Sequence, residues 1–424
     1  MNFENILHET YGIDREICRL GSLVEEELVS VFREIDQTRD YNQIKVLNAM
    51  QEAGLAERHL FGTTGYGYDD AGRELLDQVY AKVFDTEDAL VRTQIVCGTQ
   101  SLALCYFGIL RPGDELLSVT GRLYDTLDEV IGLRENPSSL AAMGVAYRQV
   151  DLFPDGSPDY EEISASVTGS TKMAVIQRSR GYSYRESFDI ETIGKIISAV
   201  KAANPNTIVL VDNCYGEFVD TAEPSNVGAD LMAGSLIKNP GGGLALTGGY
   251  VAGKAQLVAL CADRLTAPGL GKHVGASLDH NRQMIQGFYM APHTVAESLK
   301  GAVFTAGLFE RLGFETSPAA TAKRSDIIQA VRFEDPEKLK AFCRSVQAAA
   351  PVDSYVSPEP WDMPGDEDPV IMAAGAFVQG SSIELSADGP MKPPYIAFMQ
   401  GGLVYANVKL AALLGADRML KEER

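Results

Sequence analysis

Between residues 93 and 253, short and wholly apolar runs alternate with stretches of helical periodicity, and this alternation restricts the fold more than any other feature. DELLSVT (114–120), KMAVIQRS (172–179), NTIVLVDNCYGEF (206–218), LMAGSLIKNPGGG (231–243) and ALTGGYVAG (245–253) read as strands or carry one. A strand with one face in water alternates apolar and polar side chains. Runs that are apolar at every position are buried on both faces. Between two of them, DIETIGKIISAVKAA (189–203) has the spacing of an amphipathic helix. TQIVCGTQSLALCYFGIL (93–110) reads as a strand, a turn at Gly98 and an apolar helix. The pattern predicts an α/β unit with a mainly parallel sheet covered on both sides. Ligands of such sheets sit beyond the carboxyl ends of the strands.

The flanks differ. Leu20, Val24, Leu28, Val31 and Ile35 form an apolar stripe in a helical region over 14–54, with Gly54 as its C-cap. A Gly- and Tyr-rich loop (61–74) leads into a helix through Phe84. After a helix over 292–311, IIQAVRF, SYVSP, PVIMAAGAFV and SSIELSAD read as strands, with helices at 336–349 and 402–414. These predict a smaller α+β domain. The expected division is an N-terminal helical arm (1–70), a large domain (71–290) and a small C-terminal domain (291–424).

Charge narrows the function classes. The chain has 424 residues with 37 Lys+Arg against 58 Asp+Glu, a formal charge of −21 that repels nucleic acid at long range. The first residues carry no basic and apolar leader pattern, and no run approaches a membrane span, so a cytoplasmic protein without membrane contact is expected. Six scattered cysteines and five histidines show no metal-ligand spacing, so no metal site is expected. The Asp366-Glu367-Asp368 run, in a proline-rich loop, reads as solvated acid, with binding of a hard cation as the alternative.

Three positions carry chemistry. CGTQS (97–101) places a glycine turn at a helix start, where free N–H groups and the helix dipole suit a phosphate. Asp212 ends the apolar run TIVLVD, where an unpaired carboxylate is costly to bury. Lys238 lies between an apolar strand and three glycines, a confined position where a lysine pKa can drop and the amine can attack an aldehyde.

In order, these features with Tyr124 and Ser235 match pyridoxal phosphate (PLP) enzymes of fold type I. The segments GTTGYGYDDAGRE, CGTQS, VDNCYGEF, GSLIKNPGGG, IELSADGP and KPPYIAFMQGG make the resemblance more specific. The chain resembles the PLP-dependent cystathionine/methionine-lyase superfamily, in its methionine γ-lyase-like or aluminium-resistance branch. The resemblance spans about residues 62–402 and implies an aspartate-aminotransferase-like fold with a smaller C-terminal domain.

It also implies roles. Lys238 would form the Schiff base and move the Cα proton, while Asp212 would keep the pyridine nitrogen protonated. Gly98, Thr99, Gln100 and Ser235 would bind the phosphate, and Tyr124 would stack on the cofactor. Tyr66 and Tyr68 resemble a subunit-crossing loop, which implies a homo-oligomer, a dimer with shared sites or a tetramer; Tyr66 and Tyr124 join Lys238 as catalytic candidates. Relatives have Tyr-x-Arg where this chain has Tyr-Gly-Tyr, which leaves Arg73 or an arginine of QRSRGYSYR to meet the phosphate charge. A second departure is Glu384-Leu385-Ser386, where relatives have an arginine for the substrate carboxylate. Arg178, Arg180 and Lys392 are the remaining candidates. The expected activity is γ- or β-elimination on an amino acid bearing a sulfur, halide or other leaving group. A γ-replacement synthase, an aminotransferase and a non-enzymatic metal-tolerance protein are the alternatives.

Overall fold

A computed structural model describes residues 3–362 and 368–422. The chain divides into two compact units. One comprises Asn42–Gly181 with Ser187–Ala291, and the other Met1–Tyr41, Tyr182–Glu186 and Pro292–Arg424. The helical segment expected to form a separate arm over 1–70 is thus shared between the two.

The first unit is built on a seven-stranded sheet of β1 (Asp88–Arg92), β2 (Glu115–Ser118), β3 (Ala146–Gln149), β4 (Thr171–Gln177), β5 (Ile208–Asp212), β6 (Leu231–Ser235) and β7 (Gly249–Gly253). Its order is β1-β7-β6-β5-β4-β2-β3. The five strands from β6 to β3 are parallel, and β7 runs against both β6 and β1. The mainly parallel sheet is therefore present. Its alternate residues Met173, Val175, Leu210, Leu231, Ala233 and Val251 pack with Leu102, Cys105 and Ile109 of the helix Gly98–Ile109 and with Val258 and Cys261 of the helix Ala255–Leu265. The intervening residues Ala174, Ile176, Val209, Val211, Met232 and Ala252 are equally inaccessible, so both faces are covered. This explains why the strands read as unbroken apolar runs.

The second unit has a five-stranded antiparallel sheet. Its strands are β8 (Glu315–Ser317), β9 (Ile328–Arg332), β10 (Val370–Ala373), β11 (Ser386–Pro390) and β12 (Ile396–Gln400), in the order β10-β11-β12-β9-β8. The helices Pro336–Ala349 and Tyr405–Glu422 share its core with the N-terminal helices, to which Ile17 and Val24 belong. Gly21 lets Leu413 approach so closely that a Cβ there would lie 2.8 Å from it.

Several boundaries differ from the sequence reading. The strand expected over 93–96 lies at β1, because residues 93–94 turn and 95–97 lead irregularly into the helix that starts at Gly98. SYVSP forms no strand, the SSIELSAD strand starts at Ser386, and the helix expected from 402 starts at Tyr405. The helix expected from Pro292 begins at Asn281 and carries Pro292 inside it. Of the acidic run 366–368, only Asp368 is among the described residues. No described helix is long and apolar enough to cross a membrane.

Candidate active site

The carboxyl ends of β5 and β6 and the start of the helix Gly98–Ile109 converge in the first unit. Asp212 is the last residue of β5, in register with Gln177 of β4 and Ala233 of β6, two residues before the end of β6 at Ser235. Gly98 opens the helix, and a Cβ built on it would lie 3.4 Å from Cys214 Sγ and 3.6 Å from Ser235 Cβ. Inside the helix, Ser101 Oγ donates to Gly234 O at 2.8 Å and fixes the helix against β6. The N–H groups of Gly98, Thr99 and Gln100 belong to the first helical turn, where the helix itself supplies no acceptor. The side chains of the last two are engaged locally: Thr99 Oγ1 lies 2.7 Å from Thr126 Oγ1, and Gln100 Oε1 accepts from Val96 N at 2.7 Å. Backbone N–H groups are thus what this turn offers an anion.

Three residues past β6, Lys238 caps the short turn Asn239–Gly241. Its Nζ stands 4.0 Å from the centroid of the Tyr215 ring. Burial pushes the ammonium toward neutrality, but Cys214, Tyr215, Asp212 and Tyr124 outweigh it, and the pKa is raised. This corrects the expectation that confinement lowers it. Burial likewise pushes the Asp212 carboxyl up, against the pull of Lys238 and of the Cys214 N–H, which donates to Asp212 Oδ1 at 3.1 Å.

The loop 213–223 that supports these groups is tied down from below. Arg178 Nη1 donates to Asn213 Oδ1 at 2.7 Å, and Asn213 Nδ2 donates to Glu223 Oε2 at 2.9 Å. Glu223 Oε1 accepts from Phe218 N at 3.0 Å, and its other oxygen lies 3.7 Å from Arg178 Nη1. Arg178 is wholly inaccessible, and a Cβ on Gly216 would fall 2.3 Å from its guanidinium. Arg178, a candidate for the substrate carboxylate, is here engaged by the loop itself.

Arg73 is engaged too. Buried at the start of the helix Ala71–Val83, it donates to Gly67 O at 2.7 Å and to Gly275 O at 2.8 Å, so its guanidinium organises the Tyr66–Tyr68 loop. The two tyrosines stack with centroids 5.4 Å apart and are exposed, Tyr66 at 72%. Tyr124 is half-exposed and lies against Gly181, just after the buried Arg180. In the second unit, Lys392 is exposed and pairs with Asp368 at 3.1 Å, whereas the buried Glu384 accepts from Phe377 N and Val378 N.

Sequence reasoning missed Tyr215 and Glu217. Tyr215 has the left-handed φ of 71°, which no residue pattern announces. Glu217 sits in the same motif but faces inward, with its carboxyl accepting from Tyr250 OH at 2.8 Å.

The set fits PLP: N–H donors and Ser235 for a phosphate, Asp212 for a pyridinium, Lys238 for an aldehyde. Fold and site together define a PLP-dependent enzyme of fold type I. The same fold, at 16% identity and a TM-score of 0.61, occurs in the PLP-dependent protein YhfS of Escherichia coli, which it matches over 91% of this chain and 97% of that one. The methionine gamma-lyase family model matches residues 18–420, and the chain belongs to that family. It is 51% identical to the uncharacterized protein YnbB of Bacillus subtilis, over 94% of this chain and 96% of that one. It is also similar to a carbon-sulfur lyase involved in aluminum resistance from Clostridium novyi, at 47% identity and a TM-score of 0.95, over 99% of this chain and all of that one.

Proposed function

We propose that the protein is a PLP-dependent lyase that eliminates a sulfur or comparable leaving group from Cγ or Cβ of an amino acid. The observation that carries this is the convergence of Lys238, Asp212, Ser235 and the helix start at Gly98 at the carboxyl ends of two central parallel strands. Family membership and the likeness to a carbon-sulfur lyase support it.

The N–H groups of Gly98, Thr99 and Gln100 and the Ser235 hydroxyl would hold the phosphate dianion of bound PLP. Asp212 would keep a proton on its ring nitrogen, and Tyr124 is the aromatic that would lie against it. Bound PLP supplies the electron sink that makes the substrate Cα–H acidic. Lys238 takes the Cα proton with its neutral amine and gives a proton to the departing group, and for γ-elimination it also serves Cβ. Arg180, buried beside the Gly181 that touches Tyr124, is the cation proposed for the substrate carboxylate. The exposed Tyr66–Tyr68 pair is proposed to cover the site of a second copy, with Tyr66 offering its hydroxyl there.

A panel of amino acids with leaving groups at Cβ or Cγ, followed by release of oxo-acid and ammonia, tests the reading. Wild type is expected to turn over at least one of them and to show a protein-bound visible band, with Lys238→Ala losing both. A Lys238→Ala protein that retains them refutes the proposal. A fully active monomer refutes the shared site.

A further inference from the structure

Tyr215 has an aromatic side chain at a φ of 71°, a conformation that costs a bulky residue energy and persists only where the surroundings over-determine it. Here they do. Before it, Cys214 N is held by Asp212 Oδ1 at 3.1 Å, and Asn213 N by Ala233 O at 3.0 Å. After it, Gly216 N donates to Asn213 O at 2.9 Å, while Phe218 carries the second positive φ of the loop at 64°. Phe218 N is held by Glu223, Phe218 O accepts from Asn42 Nδ2 at 3.3 Å, and Glu217 O accepts from Asn239 Nδ2 at 2.9 Å. The buried Arg178–Asn213–Glu223 chain locks the loop from beneath. All of this holds one outcome in place, the ring of Tyr215 lying 4.0 Å from Lys238 Nζ.

An aromatic face attracts a cation, and more strongly when the pair is withdrawn from water. We infer that Tyr215 is a positioning residue for Lys238, whose ring face orients the ammonium and favours its charged form. The inference rests on Lys238 being the proton carrier of the proposed reaction. An ammonium held on a ring face keeps one direction, so the carrier stays at a fixed place beside the end of β6. The other groups that act on the Lys238 charge are Asp212, Cys214, Glu217 and Tyr124. None of them is altered by changing the ring.

The test uses the full chain freed of cofactor, competitive labelling with trace acetic anhydride, and mass spectrometry of the Lys238 peptide from about pH 8 to about pH 11. Over this range Lys238 stays mostly protonated, so its labelling rate relative to the other lysines of the chain follows its neutral fraction. Tyr215→Gly suits the positive φ and removes the ring, whereas Tyr215→Phe keeps the ring and removes the hydroxyl. The expected result is that Tyr215→Gly labels about tenfold faster across the range, while Tyr215→Phe stays with wild type. An unchanged rate in Tyr215→Gly overturns the inference. So does a Tyr215→Phe rate that rises as far as that of Tyr215→Gly, since the hydroxyl would then carry the effect. A faster Tyr215→Gly in a chain that never captures PLP would refute the lyase reading and leave only the ring–ammonium contact.

Discussion

Tyr250 donates its hydroxyl to Glu217 Oε1 at 2.8 Å, joining β7 to the loop beside Lys238 through a carboxyl group with no access to water. Burial pushes the pKa of Glu217 up to about 8, in spite of the Tyr250 hydrogen bond and the Lys238 charge. The folded pKa thus lies above the unfolded one. Stability from this group is fully present below about pH 4.5 and is lost as pH rises through about 8. Glu217→Gln removes the titration at a pH-independent cost. Denaturant unfolding of both proteins across this window is expected to show wild type losing stability relative to Glu217→Gln as pH rises. Parallel curves would contradict the buried, protonated carboxyl.

Asp70 shows the opposite sign. It caps the helix Ala71–Val83 and accepts from Arg73 N at 3.0 Å, Asn281 Nδ2 at 2.8 Å, and the hydroxyls of Thr63 and Ser277, each at 2.5 Å. Burial alone would raise its pKa, but the hydrogen bonds from Ser277, Thr63, Arg73 and Asn281 take it down to about 2. Its contribution is therefore present above about pH 3.8 and lost as pH falls toward about 2. Asp70→Asn is expected to cost about 3 kcal/mol at neutral pH, because an amide cannot accept from all these donors. The cost should shrink in acid. A difference that does not depend on pH would show that the carboxylate charge is not what ties these segments together.

Arg178 and Glu223 give a third case, with the roles of charge and packing separable. Both are inaccessible, and Arg178→Met strands the Glu223 carboxylate, at an expected cost of about 3–5 kcal/mol in unfolding free energy. The double variant Arg178→Met, Glu223→Gln is expected to recover most of the loss. If the single variant is as stable as wild type but its KM for the amino acid rises, the arginine serves the substrate and the structural role is wrong.

How far the sequence was legible follows from which residues signal themselves. The strands β4, β5 and β6 stand out because both sheet faces are buried, which makes their central positions apolar. Lys238 and Asp212 stand out as charges at the ends of those runs. β1 was misplaced because DALVR mixes charged ends with an apolar centre, whereas TQIV looks more like a strand and forms a turn. β3 is largely exposed, and β8 is too short for a pattern to show. The arginines were the hardest to assign. Arg73 and Arg178 sit in motifs that touch the site, and only the structure reveals the carbonyls, the Asn213 amide and the Glu223 carboxylate that engage their Nη groups. Tyr215 was hidden because its position depends on a positive φ imposed by distant residues.

Arg180 and Lys392 differ in how well each could hold the substrate carboxylate. Lys392 has a side chain 55% exposed and is paired with Asp368 in the second unit, so its charge is already screened by water and by a partner. Arg180 is buried next to Gly181, against which Tyr124 lies. A carboxylate is best gripped by a guanidinium fork withdrawn from water, and a lysine offers only a point charge. Arg180→Lys is expected to raise KM for the amino acid about 30-fold with kcat little changed, a loss of about 2 kcal/mol of binding. Lys392→Ala should leave KM within about twofold of wild type. Steady-state kinetics on the amino acid found in the substrate panel decides between them, and the reverse ranking would move the carboxylate to Lys392.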